Sequence, residues 1–269
     1  MIDKDLIRDG RGNAMARLDG RTALVTGASR GIGRTIAQRL AADGALVAVH
    51  YGRDEAAAKE TVLRIVGAGG RAFTVRADLE APAAARDLWV AFDTGLAEIH
   101  VEPGVDILVN NAGISSSGDL AGTAVAEFDR VFAVNVRAPF FVIQEALPRL
   151  RAGGRIINIS SGVTRIAAPE MLTYAMSKGA LNTLSHSLAK GLGARGITVN
   201  AVSPGIVDVD SNARWLRDDP EQVALWSSFS ALDRIGQPAD IADVVAFIAS
   251  DEARWITGQV IDATGGAKL

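Results

Sequence analysis

Short apolar runs alternate with longer helical patterns along almost the whole chain of 269 residues. "TALVT" leads into a pattern with Ile36, Ala37 and Leu40 at helical spacing that continues to about Asp43. "ALVAVHY" precedes helical periodicity from about Asp54 to Val66, and "RAFTVRA" follows the glycine-rich turn "GAGG". The rhythm goes on through "VDILVNN", a helical pattern from about Val125 to Leu150, "GRIINIS", a helix from about Thr173 to Ala194, "GITVNAVSP" and a last strand, "QVIDAT". Strands covered on both faces read as continuous Val, Ile and Leu runs, as these do. The pattern predicts an α/β fold, a doubly wound parallel sheet with helices on both faces.

No composition break, repeat or linker divides the chain, so a single domain is expected over residues 18–269, preceded by a charged N-terminal extension, 1–17. The segment 208–233 lacks a strand and carries Trp215, Trp226 and Phe229 among charges. Following a strand's C-terminal end, where such sheets bind ligands, it reads as a substrate lid or as a helical pair buried in a subunit contact.

Composition narrows the function. Hydrophobic residues at 48% and charged residues at 22% describe an ordinary globular chain. A net charge of -3 without a basic run gives no electrostatic case for nucleic acid or an anionic membrane. The absence of cysteine excludes disulfides, zinc-thiolate sites and a thiol nucleophile. His50, His100 and His186 are scattered, so no local cluster suggests a metal, and each reads as a packing or surface residue. No apolar stretch is long enough to span a bilayer and the first residues lack a signal-type core, from which a cytoplasmic location is expected.

Candidate chemistry begins at "TGASRGIG", where Gly27, Gly31 and Gly33 lie at the seam between strand and helix. Glycine lets a phosphate approach the backbone, and a helix N-terminus offers unpaired amides and a positive dipole end. The spacing G-x-x-x-G-x-G differs from the commoner G-x-G-x-x-G, so alone it also reads as turn punctuation. Further along, Tyr174 and Lys178 stand four apart on one helix face. An ammonium beside a phenol favours the phenolate and should lower its pKa towards values useful for proton transfer. Ser160 and Ser161 end one strand and Asn110 and Asn111 another, all on the ligand side of a parallel sheet. A hydroxyl, a phenol and a cation converging there could hold and protonate a carbonyl oxygen. A nucleophilic serine is disfavoured, because no G-x-S-x-G elbow is present and no histidine has an evident place in a triad.

"TGASRGIG", "NNAG" at Asn110 to Gly113, Ser161 thirteen residues before the tyrosine of "YAMSK", "SPG" at Ser203 to Gly205 and "ITGQVIDATGG" together resemble the classical short-chain dehydrogenases/reductases. The nearest likeness is to the 3-oxoacyl-carrier-protein-reductase-like branch, and it extends from about Leu18 to Gly266. The resemblance implies a Rossmann-like fold and an oxidoreductase that moves hydride between NADP(H) and a ketone or secondary alcohol. It casts Tyr174 as general acid or base, Lys178 as its electrostatic partner and ribose ligand, Ser161 as the group that orients the carbonyl, and Asn135 as support for a proton relay. Ser160 and Ser161 point to opposite faces, and only Ser161 has the family spacing. The implied cofactor site comprises Gly27, Ser29, Arg30, Gly31, Ile32 and Gly33 in the turn, and Tyr51 and Arg53 after the second strand. It also includes Asp78, which resembles the residue that borders the adenine, with Leu79 next to it, Asn111, expected on the adenosine or ribose side, with Ala112 and Gly113, and Pro204, Gly205 and Val207 after a later strand, with Tyr174 and Lys178 completing the site.

Enzymes that prefer NAD place a carboxylate at the end of the second strand. Here that position is Tyr51, with Arg53 and Arg30 nearby, which favours the 2′-phosphate of NADP(H). Asp54 and Glu55 either approach the ribose or favour the start of the next helix. The chain departs from the family pattern at Val209, where a threonine is frequent, with Ser211 as a substitute hydroxyl, and "EIHVEPG" at 98–104 is longer than a compact turn needs. Ile166, Met171, Trp215 and Leu216 suggest an apolar substrate pocket, compatible with a 3-oxoacyl thioester, an aromatic or polyketide ketone, a sugar or a xenobiotic ketone. A non-catalytic NADP-binding regulator and an epimerase or dehydratase are the other readings. The helices around 125–150 and 173–194 resemble the family's four-helix subunit interface, which implies a homotetramer, or a homodimer.

Overall fold

The computed structural model describes residues 17–116, 118–216 and 219–268, so of the expected N-terminal extension only Arg17 lies within it. Seven parallel strands form one sheet in the order β3-β2-β1-β4-β5-β6-β7. Its first half comprises β1 (Thr22–Val25), α1 (Gly31–Ala42), β2 (Leu46–Tyr51), α2 (Glu55–Gly67), β3 (Arg71–Arg76), α3 (Ala84–Glu98) and β4 (Val105–Asn110). The second half continues with α4 (Val125–Phe132), α5 (Ala138–Ala146), β5 (Leu150–Ile159), α6 (Leu172–Leu192), β6 (Thr198–Pro204), α7 (Asp210–Leu216), α8 (Pro220–Ser228), α9 (Pro238–Ala249) and β7 (Val260–Ala263). This is the doubly wound Rossmann-like sheet that the apolar runs predict.

Alternation along each strand divides the core. Ala23 and Val25 of β1 face the layer of α1, α2 and α9, whereas Leu24 between them faces the layer of α3, α5 and α6. β1, β2 and β4 are buried at every position, which is why they read as unbroken apolar runs. The chain reverses its winding between β1 and β4, and the crevice at a doubly wound sheet's switch point opens at the strands' C-terminal ends.

One helix expected as continuous is interrupted. Between α4 and α5, residues Ala133–Arg137 form a π-helical turn in which Ala138 N–H bonds the Ala133 carbonyl. Pro139 lies four residues after Asn135 and has no N–H to return to the Asn135 carbonyl, so a regular α-helical register fails there. The helix then ends at Ala146, short of the expected Leu150, because Pro148 cannot continue it and Leu150 already begins β5.

The 98–104 segment has a structural account. It wraps the Arg151 guanidinium, which donates to the carbonyls of Glu102 and Pro103 (3.3 and 3.2 Å) and to Asp106 (2.7 Å). Gly104, at φ +136°, supplies a conformation that a side chain would strain. The 208–233 segment forms α7 and α8, with Trp226 edge-on to Phe229 at 5.3 Å between ring centroids.

Candidate active site

A cleft of about 800 Å³ opens along the C-terminal ends of the strands, from the glycine turn after β1 to the start of α6. The turn's shape follows from its glycines. Gly27 and Gly31 have φ of +64° and +56°, and a Cβ on Gly33 would lie 2.3 Å from the Gly27 carbonyl oxygen. No other residue type fits at Gly33, because what it meets is backbone. α1 starts at Gly31 without a side-chain cap, so its first amides and its dipole point into the cleft.

Two residues fasten this turn. Asn111, expected to face the adenosine or ribose, lines the cleft but directs its side-chain amide to the carbonyls of Thr26 and Gly27 (2.9 and 3.2 Å). It therefore braces the cradle from the β4 side. His50, read from sequence as a packing or surface residue, accepts the Gly27 N–H at Nδ1 (3.0 Å) and also lines the cleft.

At the end of β2 the expectation for Tyr51 is corrected. Its side chain is 6% exposed and packs in the apolar layer with α1 and α2, so the cleft wall here is made by Gly52, Arg53 and Asp54 instead. The alternation of the strand explains this, since His50 faces the cleft and its neighbour must face away. Asp54 caps α2 by accepting the Ala57 N–H (2.9 Å), and Glu55 pairs with Lys59 (2.7 Å). Both acids thus serve the helix. Arg53 is 80% exposed and stands 3.6 Å from Glu80, which also pairs with Arg130 (3.7 Å). Glu80 and Arg130 line the cleft and were not legible from sequence, because each belongs to a helical or turn pattern that looks solvated. Asp78 holds its own turn by accepting the Glu80 N–H (3.0 Å), with Leu79 beside it in the wall.

At the other end, the strand termini separate the two serines. Ser160 is buried and donates to the Lys178 carbonyl (3.3 Å), whereas Ser161 lines the cleft and hydrogen-bonds the Tyr174 phenol. Burial pushes the Tyr174 phenol up from its ordinary value, and the Ser161 hydrogen bond offsets part of that rise. The expected lowering of Tyr174 by Lys178 is not what the side chains do. Lys178 Nζ donates to the Ile159 carbonyl (2.8 Å) and lies 5.7 Å from the phenol ring centroid. Burial itself pushes the Lys178 ammonium down to about 8.

Asn135 stands behind this wall, fully buried in the π-helical turn. Its Oδ1 accepts the Ile114 N–H (2.9 Å), and its Nδ2 donates to the Ile114 carbonyl (2.9 Å) and to Ser177 (3.0 Å). A Cβ on Gly113 would come within 3.2 Å of Lys178 Nζ and 3.4 Å of Asn135 Oδ1, so the glycine brings the lysine and the asparagine to one spot. Ser29, Arg30, Ile32, Ala112, Pro204, Gly205 and Val207 complete the lining expected from sequence. Gly205 lies against Thr264, whose backbone a Cβ would approach to 3.0 Å. Val209 packs over Gly31, and Asn212 donates to the Val207 carbonyl (2.9 Å). Of the suggested apolar substrate residues, Ile166 is 37% exposed and Leu216 is buried, while the side chains of Ser211 and Trp215 lie outside the described residues.

The fit to a dinucleotide rests on these features: a cradle that a Cβ would fill, an uncapped helix N-terminus, and the cleft-lining guanidiniums of Arg30 and Arg53, beside which the Asp54 carboxylate is taken up by the α2 cap and Glu55 by Lys59. Among the described residues no group of His, Cys, Asp or Glu is arranged to hold a metal, and no helix is long and apolar enough to cross a membrane.

Comparison with known proteins places this geometry in a family. The family model described as enoyl-(acyl carrier protein) reductase matches residues 27–268. Versicolorin reductase stcU from Emericella nidulans is 41% identical over 263 residues, covering 93% of this chain and 97% of that protein. The promiscuous reductase LugOII, which catalyses keto-reduction during lugdunomycin biosynthesis, superposes with a TM-score of 0.90 at 50% identity, over 94% of this chain and 100% of that one. The landomycin C-6 ketoreductase LanV, solved with bound NADP and rabelomycin, superposes with a TM-score of 0.88 at 49% identity, over 94% and 98%. With its glycine cradle, its Ser161–Tyr174–Lys178 wall and these relatives, the chain belongs to the short-chain dehydrogenase/reductase family.

Proposed function

We propose that this protein is an NADP(H)-dependent carbonyl reductase, with Tyr174 as its proton donor. One observation carries the reading: Ser161, Tyr174 and Lys178 line the same cleft as the glycine cradle, at its opposite end. Bound NADPH supplies the hydride. The rest of the chemistry belongs to the chain. Tyr174, kept protonated by burial, gives its proton to the carbonyl oxygen, so negative charge never accumulates there unpaired. Ser161 orients that oxygen by the hydroxyl it already turns towards Tyr174. Lys178 supplies positive charge beneath the phenol, and Asn135 fixes the Ile114 backbone beside it. In the reverse direction Tyr174 is the base.

Arg30 and Arg53 are the groups for the 2′-phosphate, since a guanidinium pairs with phosphate through parallel charge-assisted bonds. Similar proteins named for versicolorin, landomycin and lugdunomycin chemistry make ketones of the versicolorin and angucycline kind the first substrates to try, ahead of a 3-oxoacyl thioester. Within the 208–233 segment, Asp210 and Asn212 of α7 line the cleft, which supports its reading as a substrate lid over that of a subunit contact. The exposed Phe140 and Phe141 of α5 support assembly into a homotetramer, and the cytoplasm is its compartment.

The test is turnover with NADPH and with NADH against a ketone panel that includes rabelomycin and a 3-oxoacyl thioester, with Tyr174→Phe as control. Ketone-dependent NADPH oxidation that disappears in the variant is the expected result. NADPH binding without turnover of any ketone would favour a non-catalytic NADP-binding regulator, and conversion without net NADPH consumption an epimerase or dehydratase. Sedimentation showing only monomer at micromolar concentration would overturn the tetramer.

A further inference from the structure

His50 has no part in proton or hydride transfer, yet its imidazole makes two hydrogen bonds at the edge of the cleft. Nδ1 accepts the Gly27 N–H at 3.0 Å, and Nε2 lies 3.1 Å from the Ala77 carbonyl oxygen. An amide can only donate and a carbonyl only accept, so the ring is neutral with its proton on Nε2. The side chain is 2% exposed, and burial agrees with this state by pushing its pKa down to about 4.

The partners are what give the contact meaning. Gly27 is the first glycine of the cradle and sits in the left-handed region, while Ala77 immediately precedes Asp78. β1 and β3 are not neighbours, since β2 lies between them, so no ladder bond ties the glycine turn to the loop after β3. His50 alone of the β2 side chains bridges them through Gly27 and Ala77. The Gly27 residue is then held from both sides: its N–H by His50 and its carbonyl by Asn111.

We propose that His50 is a positioning residue for cofactor binding. It fixes the glycine turn and the β3-end loop at one separation, so that both ends of the adenosine half of the dinucleotide meet a site already formed. Preorganisation of this kind improves affinity by removing an ordering cost at the moment of binding. The inference rests on the NADP(H) reading of the cleft and adds to it a residue that touches protein on both sides and acts through the turn.

Three variants separate its two bonds. An Asn amide ends where Nδ1 stands and keeps an acceptor for Gly27, a Gln amide reaches the Nε2 position and keeps a donor for Ala77, and Leu keeps neither. NADPH binding is followed by cofactor fluorescence, alongside KM for NADPH, KM for the ketone and kcat. His50→Leu, which breaks both bonds, is expected to raise Kd and KM for NADPH about tenfold or more, the effect of leaving buried polar groups unpaired. With one bond left, His50→Asn and His50→Gln are each expected to weaken NADPH binding by at least about threefold, with kcat at saturating NADPH and KM for the ketone within about twofold in all three, because the proton-donating wall is untouched. The proposal is overturned if the Leu variant binds NADPH as wild type does, if either amide variant binds as wild type does, so that one bond suffices, or if kcat and both KM values shift together. A wild-type protein that binds no NADPH overturns the functional reading itself, whatever the variants do.

Discussion

Lys178 is buried with its ammonium on a single carbonyl, and the cost of that burial can be measured. Its pKa falls from 10.5 to about 8 in the folded protein. A lowered pKa in a base means that the unfolded chain binds more protons between these values, so folding stability rises with pH across that window. Below pH 8 the full penalty is present, about 3 kcal/mol for a shift of this size. Between pH 7 and pH 10 the linkage relation returns most of it, about 2–3 kcal/mol. Burial raises the Tyr174 phenol above its ordinary value near 10, which adds its own pH dependence at the upper edge of this window, so the comparison belongs in a Tyr174→Phe background: Tyr174→Phe against Tyr174→Phe/Lys178→Met, by urea unfolding at fixed protein concentration. The lysine-containing protein should gain on the methionine variant by about 2–3 kcal/mol between the two pH values. A stability difference that stays constant within about 0.5 kcal/mol would refute the claim that Lys178 is a desolvated ammonium.

Three further outcomes are expected. Tyr174→Phe should lower kcat by about 10²- to 10⁴-fold while calorimetric NADPH affinity stays within about threefold, because the phenol supplies a proton and the cradle supplies the binding. Arg30→Ala and Arg53→Ala should each cut the ratio of kcat/KM for NADPH over NADH about tenfold, and an unchanged ratio in both would remove the 2′-phosphate assignment. Gly33→Ala places a Cβ against the Gly27 carbonyl and 2.4 Å from Asn111 Nδ2, so NADPH affinity should fall about 100-fold with a stability loss of about 1–3 kcal/mol, read by titration and thermal melting.

The alternation of apolar runs with helical periodicity was enough to read the strands, their parallel pairing and the position of the glycine turn, because those depend on local pattern and on short-range backbone rules. The spacing of Ser161, Tyr174 and Lys178 was legible for the same reason: a strand end and one helix face are local objects. What the sequence could not decide was which partner each polar group takes. Tyr51 and His50 are adjacent, and only the strand's placement in the sheet tells which faces the core and which the cleft. Asn111 is a cleft residue whose amide serves the turn, and Lys178 bonds Ile159 rather than the phenol, because the nearest carbonyl in space comes from a strand nineteen residues away. Glu80 meets Arg53 and Arg130 only once the turns after β2 and β3 and the helix α4 converge on the cleft. Local pattern set the scaffold and the reacting types, while the pairing of buried polar groups was settled by contacts between distant segments, where desolvation makes each donor and acceptor find whichever partner the packing brings near.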